Sequence, residues 1–380
     1  MNCPNCSTPH PDAARFCARC GTPLQPGTDR ARHFAAHPEE PVRALAMMST
    51  LMPHLSGGRH HLYRAAIAMA LLAALTAAAF GVLSIALTLA AIALPAVVLT
   101  YVHDHDVWRD EPSTVIGVDF LFSLLLGVGV GLLEDRFTRP VLLAAPNHGL
   151  PKLSQILELG VLVPVVAFVA VLIAPMVTTA RSAFRHPVDA VIVCSLSGAA
   201  LSLGLSVVVQ RGAFTHIEAT AGDPAHVAFI ALTLGFLQPI ILATAAAMAV
   251  LPLRGAGGNE ALGMVRGVVL VVLYELATTL LTPYGPRGIV LTTLVALVLA
   301  AAGLLGTRDT LHTALVTEAR AALADDRTMG RAPDTPQICA HCGAAIGAGA
   351  AFCQVCGTAT AALARHPFPA AGAAGVAPTA

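Results

Sequence analysis

The sequence predicts an all-α membrane bundle of about eight transmembrane helices, with a small β-knuckle built around four cysteines at each terminus. Three observations carry this reading. The 380-residue chain is 56% hydrophobic and only 12% charged, and its mean hydropathy of +0.73 lies outside the range of water-soluble domains. The apolar residues gather into runs of about twenty, the length an α-helix needs to cross a ~30 Å hydrocarbon core. Eight of the 9 cysteines fall into two clusters of identical spacing near the ends.

The first cluster is Cys3, Cys6, Cys17 and Cys20, and the second is Cys339, Cys342, Cys353 and Cys356; both read C-x2-C-x10-C-x2-C. A C-x2-C turn is tight enough to place two thiolates at adjacent corners of a tetrahedron. A glycine after the second cysteine accommodates the strained backbone that follows. Two such turns complete a four-sulfur site that suits zinc and leaves no open coordination position, so the sequence predicts two structural zinc ions. Three of the four turns carry that glycine, at 21, 343 and 357; Ser7 stands in its place in the first, which predicts a strained turn there. Both second turns read Phe-Cys-x-x-Cys-Gly, from Phe16 and Phe352. Disulfides would need an oxidising compartment, whereas the first residues contain no basic stretch followed by an apolar core of a signal peptide. Each module is about 20–25 residues, too short to fold without its metal. These residues resemble the zinc-ribbon modules found singly or doubly at the ends of many bacterial proteins. A ribbon leading into an apolar bundle is also similar to bacterial zinc-ribbon membrane proteins of unassigned function. The resemblance covers 3–23 and 337–358 and implies a docking or structural element with those eight cysteines as ligands.

The expected organisation is a ribbon over 1–23, a linker over 24–61, a transmembrane domain over 62–307, a second linker over 308–336, a ribbon over 337–358 and a disordered tail over 359–380. Within the first linker Val42, Leu45, Met48, Met52 and Leu55 recur at helical spacing after Pro41. This fits either a short amphipathic helix on the membrane surface or an unstructured tether. The segment 65–102 has no charged residue and is long enough for two crossings if it turns at Gly81. The spans then fall near 63–80, 83–102, 114–133, 157–179, 188–209, 226–251, 264–282 and 288–306, followed by a polar helix over 309–328. An even number of spans puts both termini on one side, and reduced zinc ligands make that side the cytoplasm of a cell (inner or plasma) membrane. The basic residues agree: Arg59, Arg64, Arg109, Arg181, Arg185, Arg254, Arg266 and Arg308 flank the inside, against Arg136, Arg139, Lys152, Arg211 and Arg287 outside.

Ionisable groups inside a membrane are costly and mark candidate functional positions. Glu275 lies deepest, in Val-Leu-Tyr-Glu-Leu-Ala, while Asp119, Glu158 and Asp189 sit near span ends where they can reach water. Glu275 either serves transport or catalysis, or is simply protonated or bonded to Tyr274 or Thr278. Cys194 reads as a packing residue. The His103-Asp104-His105-Asp106 run alternates metal-binding side chains, but in an extended segment these point to opposite faces. Gly160-Val-Leu-Val-Pro164 and Gly235-Phe-Leu-Gln-Pro239 open two spans alike, each ending at a further proline, 175 and 252. They read as a degenerate parallel repeat or as coincidence between two Ala/Val/Pro-rich helices.

Tyr101, Asp104, Asp110, Glu111 and Pro112 after a helical hairpin, and Arg185-His-Pro-Val-Asp189 later, resemble PrsW-type intramembrane proteases. That family's chemistry needs a glutamate pair, a third glutamate and a histidine. The corresponding stretches here, 164–169, 198–206 and 235–239, hold none of them. The resemblance therefore implies a non-catalytic relative. Three functions compete: a scaffold or regulator whose ribbons dock a cytoplasmic protein, a transporter of a small solute using Glu275, and a PrsW-like hydrolase lacking its catalytic residues. The partners expected are the lipid bilayer and a cytoplasmic protein. Nucleic acid is disfavoured, because the net charge is zero and the second cysteine cluster contains no Lys or Arg between its cysteines.

Overall fold

A computed structural model describes residues 1–25, 33–34, 37–42, 44–53, 60–104, 113–143, 151–181, 184, 186–211, 224–255, 258–324, 337–339, 342–347 and 349–360. The chain opens with the first cysteine module. A two-stranded antiparallel hairpin follows, β1 (His33–Phe34) and β2 (His37–Pro41), then a one-turn helix, α1 (Met47–Leu51). The long helices are α2 (His60–Ala79), α3 (Leu83–Asp104) and α4 (Ser113–Leu143). The fourth span is built from α5 (Leu153–Leu157), a π-helical segment Glu158–Leu162 and α6 (Val163–Thr178). Next comes α7 (Pro187–Val209). The sixth span joins α8 (Pro224–Ile230), a second π segment Ala231–Leu237 and α9 (Gln238–Leu253). Helices α10 (Glu260–Leu281) and α11 (Pro286–Ala324) complete the bundle, and β3 (Gln337–Ile338) with β4 (Ala345–Ile346) begins the second cysteine module.

Eight helices among the described residues are long and apolar enough to cross a membrane. Their boundaries follow local chemistry. At Gly81 the backbone takes φ +74°, and the amides of Gly81 and Val82 reach back to the carbonyls of Ala78 and Ala77. This pair of bonds stops α2 cleanly, and a residue with a Cβ would resist the conformation. Pro187 and Pro286 begin α7 and α11, where a missing N–H costs nothing, and the Asn259 side chain accepts from the Leu262 amide to cap α10.

The two π segments bear on the repeat. In each, the residue before the proline bonds five residues back: Val163 N–H to Glu158 O before Pro164, and Gln238 N–H to Thr233 O before Pro239. A proline ring collides with the carbonyl four residues earlier, here that of Gly160 or Gly235, and the turn widens to escape it. The two Gly-x3-Pro entries therefore share a backbone irregularity at the same register. Their surroundings differ, since Gly160 faces Leu276 of α10 and Gly235 faces Ala90 of α3.

Helix α7 is the hub: nearly all of it is buried, with α4 on one side and α9 on another. The approach is close because glycines line it. A Cβ on Gly204 would fall 2.2 Å from the Leu124 carbonyl oxygen, one on Gly127 2.1 Å from that of Leu201, and one on Gly198 2.5 Å from the Ala243 nitrogen. Small residues allow this backbone-to-backbone packing, which gives helices dispersion contact where lipid offers no hydrophobic drive. The outward faces stay apolar, for example at Met69, Leu72, Val169, Ile173, Leu294 and Val298, as contact with a bilayer requires.

Two expectations need correction. The last span and the polar helix expected over 309–328 run as one continuous helix, α11, as far as Ala324, with 325–328 outside the described residues, because nothing between Gly306 and Leu311 breaks the backbone; Arg308, expected in a flanking loop, is wholly buried. In the candidate amphipathic segment, 43 and 54–59 (Leu55 among them) lie outside the described residues, and the described part packs on the bundle. Among the described residues of that segment only 47–51 is helical, Leu45 points outward at 66% exposure, and Met48, Ser49, Thr50, Leu51 and Met52 are buried against α2, α7 and α11. The run 105–112, which includes His105, Asp106, Asp110, Glu111 and Pro112, lies outside the described residues, as does the tail after 360.

Valine at Gly204 has no room, so Gly204→Val should cost about 1–3 kcal/mol of bundle stability, the usual range for overpacking. Gly129→Ala, with nothing within 4 Å of the new Cβ, should be neutral. Thermal unfolding of both variants in one detergent checks the contrast.

Candidate metal centres and the seam between the chain ends

Four local turns build the two cysteine sites, and their backbone bonds repeat. Cys3, Cys17, Cys339 and Cys353 each receive the amide four residues on and donate their own amide five residues on, from Ser7 N and to Thr8 O in the first turn, and so through the others. Glycines 21, 343 and 357 take φ +70°, +74° and +76°, and Ser7 is held at +58°, the strain its position predicted. This brings Cys3, Cys6, Cys17 and Cys20 together at one end, and Cys339, Cys342, Cys353 and Cys356 at the other, each quartet with ligand atoms within 4.8 Å of one another. Individual Sγ–Sγ separations are 3.6 Å for Cys3–Cys20, 3.5 Å for Cys6–Cys17, 3.6 Å for Cys339–Cys356 and 3.7 Å for Cys342–Cys353. Disulfide sulfurs lie at about 2 Å, whereas a tetrahedron with Zn–S of about 2.3 Å has edges near 3.8 Å.

The chemistry of the donors also asks for a cation. Burial opposes ionisation of Cys6, but hydrogen bonds from Thr8 and from the neighbouring thiols outweigh it and bring that thiol down to about 6. Burial pushes Cys17, in the same quartet, up. In the second quartet, hydrogen bonding with Cys339 lowers Cys353 and raises Cys356. Four crowded thiols cannot all ionise unless a divalent ion stands between them, and four thiolates without an oxygen or water ligand favour zinc. The two four-cysteine clusters thus fit two zinc ions in closed, structural sites.

Residues 2–24 match the family model of the zinc-ribbon domain. The second quartet repeats this ribbon's bonding pattern at a constant offset. No curated protein and no solved structure matches the chain.

The two ribbons pack on each other, a contact that nothing in their spacing predicts. The Phe16 amide donates to the Gln354 carbonyl at 3.0 Å, and the Phe352 amide donates to the Ala18 carbonyl at 2.9 Å. These two bonds interchange equivalent positions, so the ribbons meet about a pseudo-twofold axis. The rings interchange too: Phe352 covers Gly21, where a Cβ would lie 3.1 Å from the ring, and Phe16 covers Gly357, where it would lie 2.9 Å away. Both phenylalanines are buried. The signal was present in the sequence, in the shared Phe-Cys-x-x-Cys-Gly. Its glycine has two duties, the positive φ of its own turn and a seat for the other ribbon's ring.

The pair is continuous with the bundle. Phe352 and Ala359 belong to the same apolar cluster as Met48, Leu51 and Met52 of α1 and Leu311, Ala314 and Leu315 of α11. There Arg308, at 0% exposure, donates to Ser49 Oγ at 2.8 Å and to Thr50 Oγ1 at 3.4 Å, while the Thr50 hydroxyl donates to the Ala46 carbonyl at 2.7 Å. A buried guanidinium requires such acceptors, so α1 is pinned by charge as well as by its methionines.

Inside the bundle the acids separate. Asp119, expected near water, is buried and accepts from Thr178 and Ser197, both at 2.8 Å, tying α4 to α6 and α7. Asp189, also expected to reach water, is buried in the first turn of α7 at 5% exposure. Glu275 is half-buried well along α10, with Glu134 of α4 in electrostatic reach. Spans α7 and α10 run the same way. Asp189 lies in the first turn of α7 and Glu275 about four turns into α10, and among the described residues they belong to no common metal-binding group. Cys194 is fully buried, a packing residue as expected.

Elemental analysis of protein purified in mild detergent without chelators should find about two zinc ions per chain, falling to one in a Cys3→Ser/Cys6→Ser variant and to none when all eight clustered cysteines are serine. Separately, Ser49→Ala should cost about 1–3 kcal/mol by depriving buried Arg308 of an acceptor, measured as a fall in unfolding midpoint.

Proposed function

We propose that this protein is an integral membrane scaffold whose two ends fold as one zinc-dependent module on the cytoplasmic face, presenting a docking surface to a cytoplasmic protein. The observation that carries this reading is the reciprocal seating of Phe16 and Phe352 on Gly357 and Gly21, which makes one body of two metal modules more than 300 residues apart. A closed four-sulfur site has no position for substrate, so its contribution is shape. On that body Ile338 and Val355 are exposed at 56% and 44%, an apolar surface of the kind that protein partners cover. The excess of arginines on one set of loops supports a cytoplasmic location for both termini in a cell membrane. Within this reading the eight cysteines are structural ligands, and Asp189 and Glu275 serve the bundle rather than catalysis.

Transport is the second reading. Glu134 and Glu275 place two carboxylates within electrostatic reach inside an apolar domain, and the two proline-driven π segments interrupt spans at equivalent positions. Intramembrane hydrolysis is the weakest, because the stretches that would carry its glutamates and histidine contain neither residue type.

A photo-crosslinking residue at Val355 in cells should give a discrete protein adduct that disappears when Phe16 is changed to Ala and the ribbons unseat; an unaltered adduct pattern, or none, would sink the docking role. If the transport reading holds instead, proteoliposomes loaded with a pH dye will show a proton flux that Glu275→Gln abolishes without lowering thermal stability.

A further inference from the structure

The two zinc sites are built on one template, yet the side chains around their sulfurs differ. In the N-terminal site Thr8 Oγ1 lies 3.2 Å from Cys6 Sγ, Thr22 Oγ1 lies 3.1 Å from Cys20 Sγ, and His10 Nε2 lies 3.0 Å from Cys17 Sγ. His10 is buried, and its own amide is held by the Met1 carbonyl at 2.8 Å. In the C-terminal site, among the described residues, only one of the two hydroxyls recurs, Thr358 on Cys356 at 3.2 Å. At the constant offset of 336, which carries Cys3 to Cys339 and Cys20 to Cys356, Thr8 becomes Ala344 and His10 becomes Ile346. Neither side chain can donate. Cys342, the counterpart of Cys6, is also exposed where Cys6 is half-buried.

A zinc-bound sulfur carries no proton, so each contact to it must be a donation by the neighbour: the hydroxyls supply O–H, and His10 supplies its Nε2–H. Donation disperses thiolate charge, lowers the sulfur's nucleophilicity and fixes its direction. Donors standing behind the ligands in this way govern how firmly a metal is held. Ser7, strained where Gly343 is relaxed, works the other way. That is one backbone strain against the donations of Thr8 and His10 and the better shielding of the Cys6 sulfur.

We propose that the two ions are unequal: the N-terminal zinc is the permanent one, and the C-terminal zinc is the exchangeable one, released first to a competing thiol or chelator, with His10 as the positioning residue that sets the difference. Release at the C-terminal site undoes the turn that holds Gly357 and frees Phe352 from Gly21. The exchangeable ion therefore controls the seam, while the N-terminal ribbon stays folded. This inference rests on the zinc assignment alone and stands or falls apart from the docking role.

The test uses the full-length protein in mild detergent, with excess 4-(2-pyridylazo)resorcinol as zinc acceptor and N-ethylmaleimide pulses read by peptide mass spectrometry. Two phases of one zinc each are expected. Cys339, Cys342, Cys353 and Cys356 should become alkylated ahead of Cys3, Cys6, Cys17 and Cys20 by about 10-fold or more in rate, the scale on which hydrogen-bond partners of ligands alter metal sites. His10→Leu should speed the N-terminal phase toward that of the C-terminal site, and Ile346→His with Ala344→Thr should slow the C-terminal phase. A single phase, N-terminal loss first, or an unchanged N-terminal rate in His10→Leu would overturn the proposal. Should His10→Leu fail to fold, the wild-type order and the reciprocal graft decide it.

Discussion

The constraint on which the rest depends is the exchange of two phenyl rings between the chain's ends. Each ribbon has too little apolar surface to stabilise itself, and each relies on metal for its turns. Pairing buries Phe16 and Phe352 and satisfies three backbone amides, those of Arg15, Phe16 and Phe352, something neither half does alone. Because the halves are the two ends of one chain, closing the pair also closes the whole membrane domain into a loop. The cost of that closure grows only slowly with length, and the bundle lowers it further by delivering both ends to one side.

The same economy of contact operates inside the bundle. Helices there gain little by leaving lipid, so they associate through close backbone approach and a few well-placed polar groups. Glycines 127, 198 and 204 supply the first around α7, and the Asp119–Thr178–Ser197 bonds and the Arg308–Ser49 bond supply the second. The two kinds of contact specify different things. Glycine contacts set distance and are tolerant of rotation about the helix axis within limits; a carboxylate shared by two hydroxyls from two helices fixes rotation. Helix α7 has both, with Gly198 and Gly204 alternating with Ser197 along one stretch, which is why it can serve as the hub.

What could be read in advance followed physical range. The metal sites were legible because a C-x2-C turn is a local event, and the spans because hydrocarbon thickness imposes length; the Gly81 turn falls where a charge-free run too long for one crossing must fold back. Interactions between distant segments were hidden. Arg308 sits at a span end, where arginine ordinarily reaches water, and its burial depends on Ser49 and Thr50 more than 250 residues earlier. The burial of Asp119 is hidden for the same reason, since its partners come from two other helices. The ribbon seam is an intermediate case. Phe-Cys-x-x-Cys-Gly appears twice, but a glycine explained once, by its positive φ, gave no prompt to ask whether it was also a seat for a ring.

Order of synthesis adds a further consequence of the seam. The N-terminal ribbon has all four of its ligands within the first twenty residues and can bind zinc at once, but Phe16 has no glycine to cover until Gly357 exists. During insertion of the whole bundle the module must therefore hold its fold on metal and local bonds alone, with its future interface open. A site with donors on three of its four sulfurs suits that interval, since a ligand set that frayed would expose reactive thiolates throughout. The C-terminal ribbon meets no such interval. It emerges after the bundle, beside a partner already folded and a cluster of α1 and α11 side chains ready to receive Phe352 and Ala359. The bundle and the seam supply from outside the support that the first ribbon had to carry within itself. The loss of Thr8 and His10 at positions 344 and 346 is then tolerable in the one half of the template that never has to stand alone.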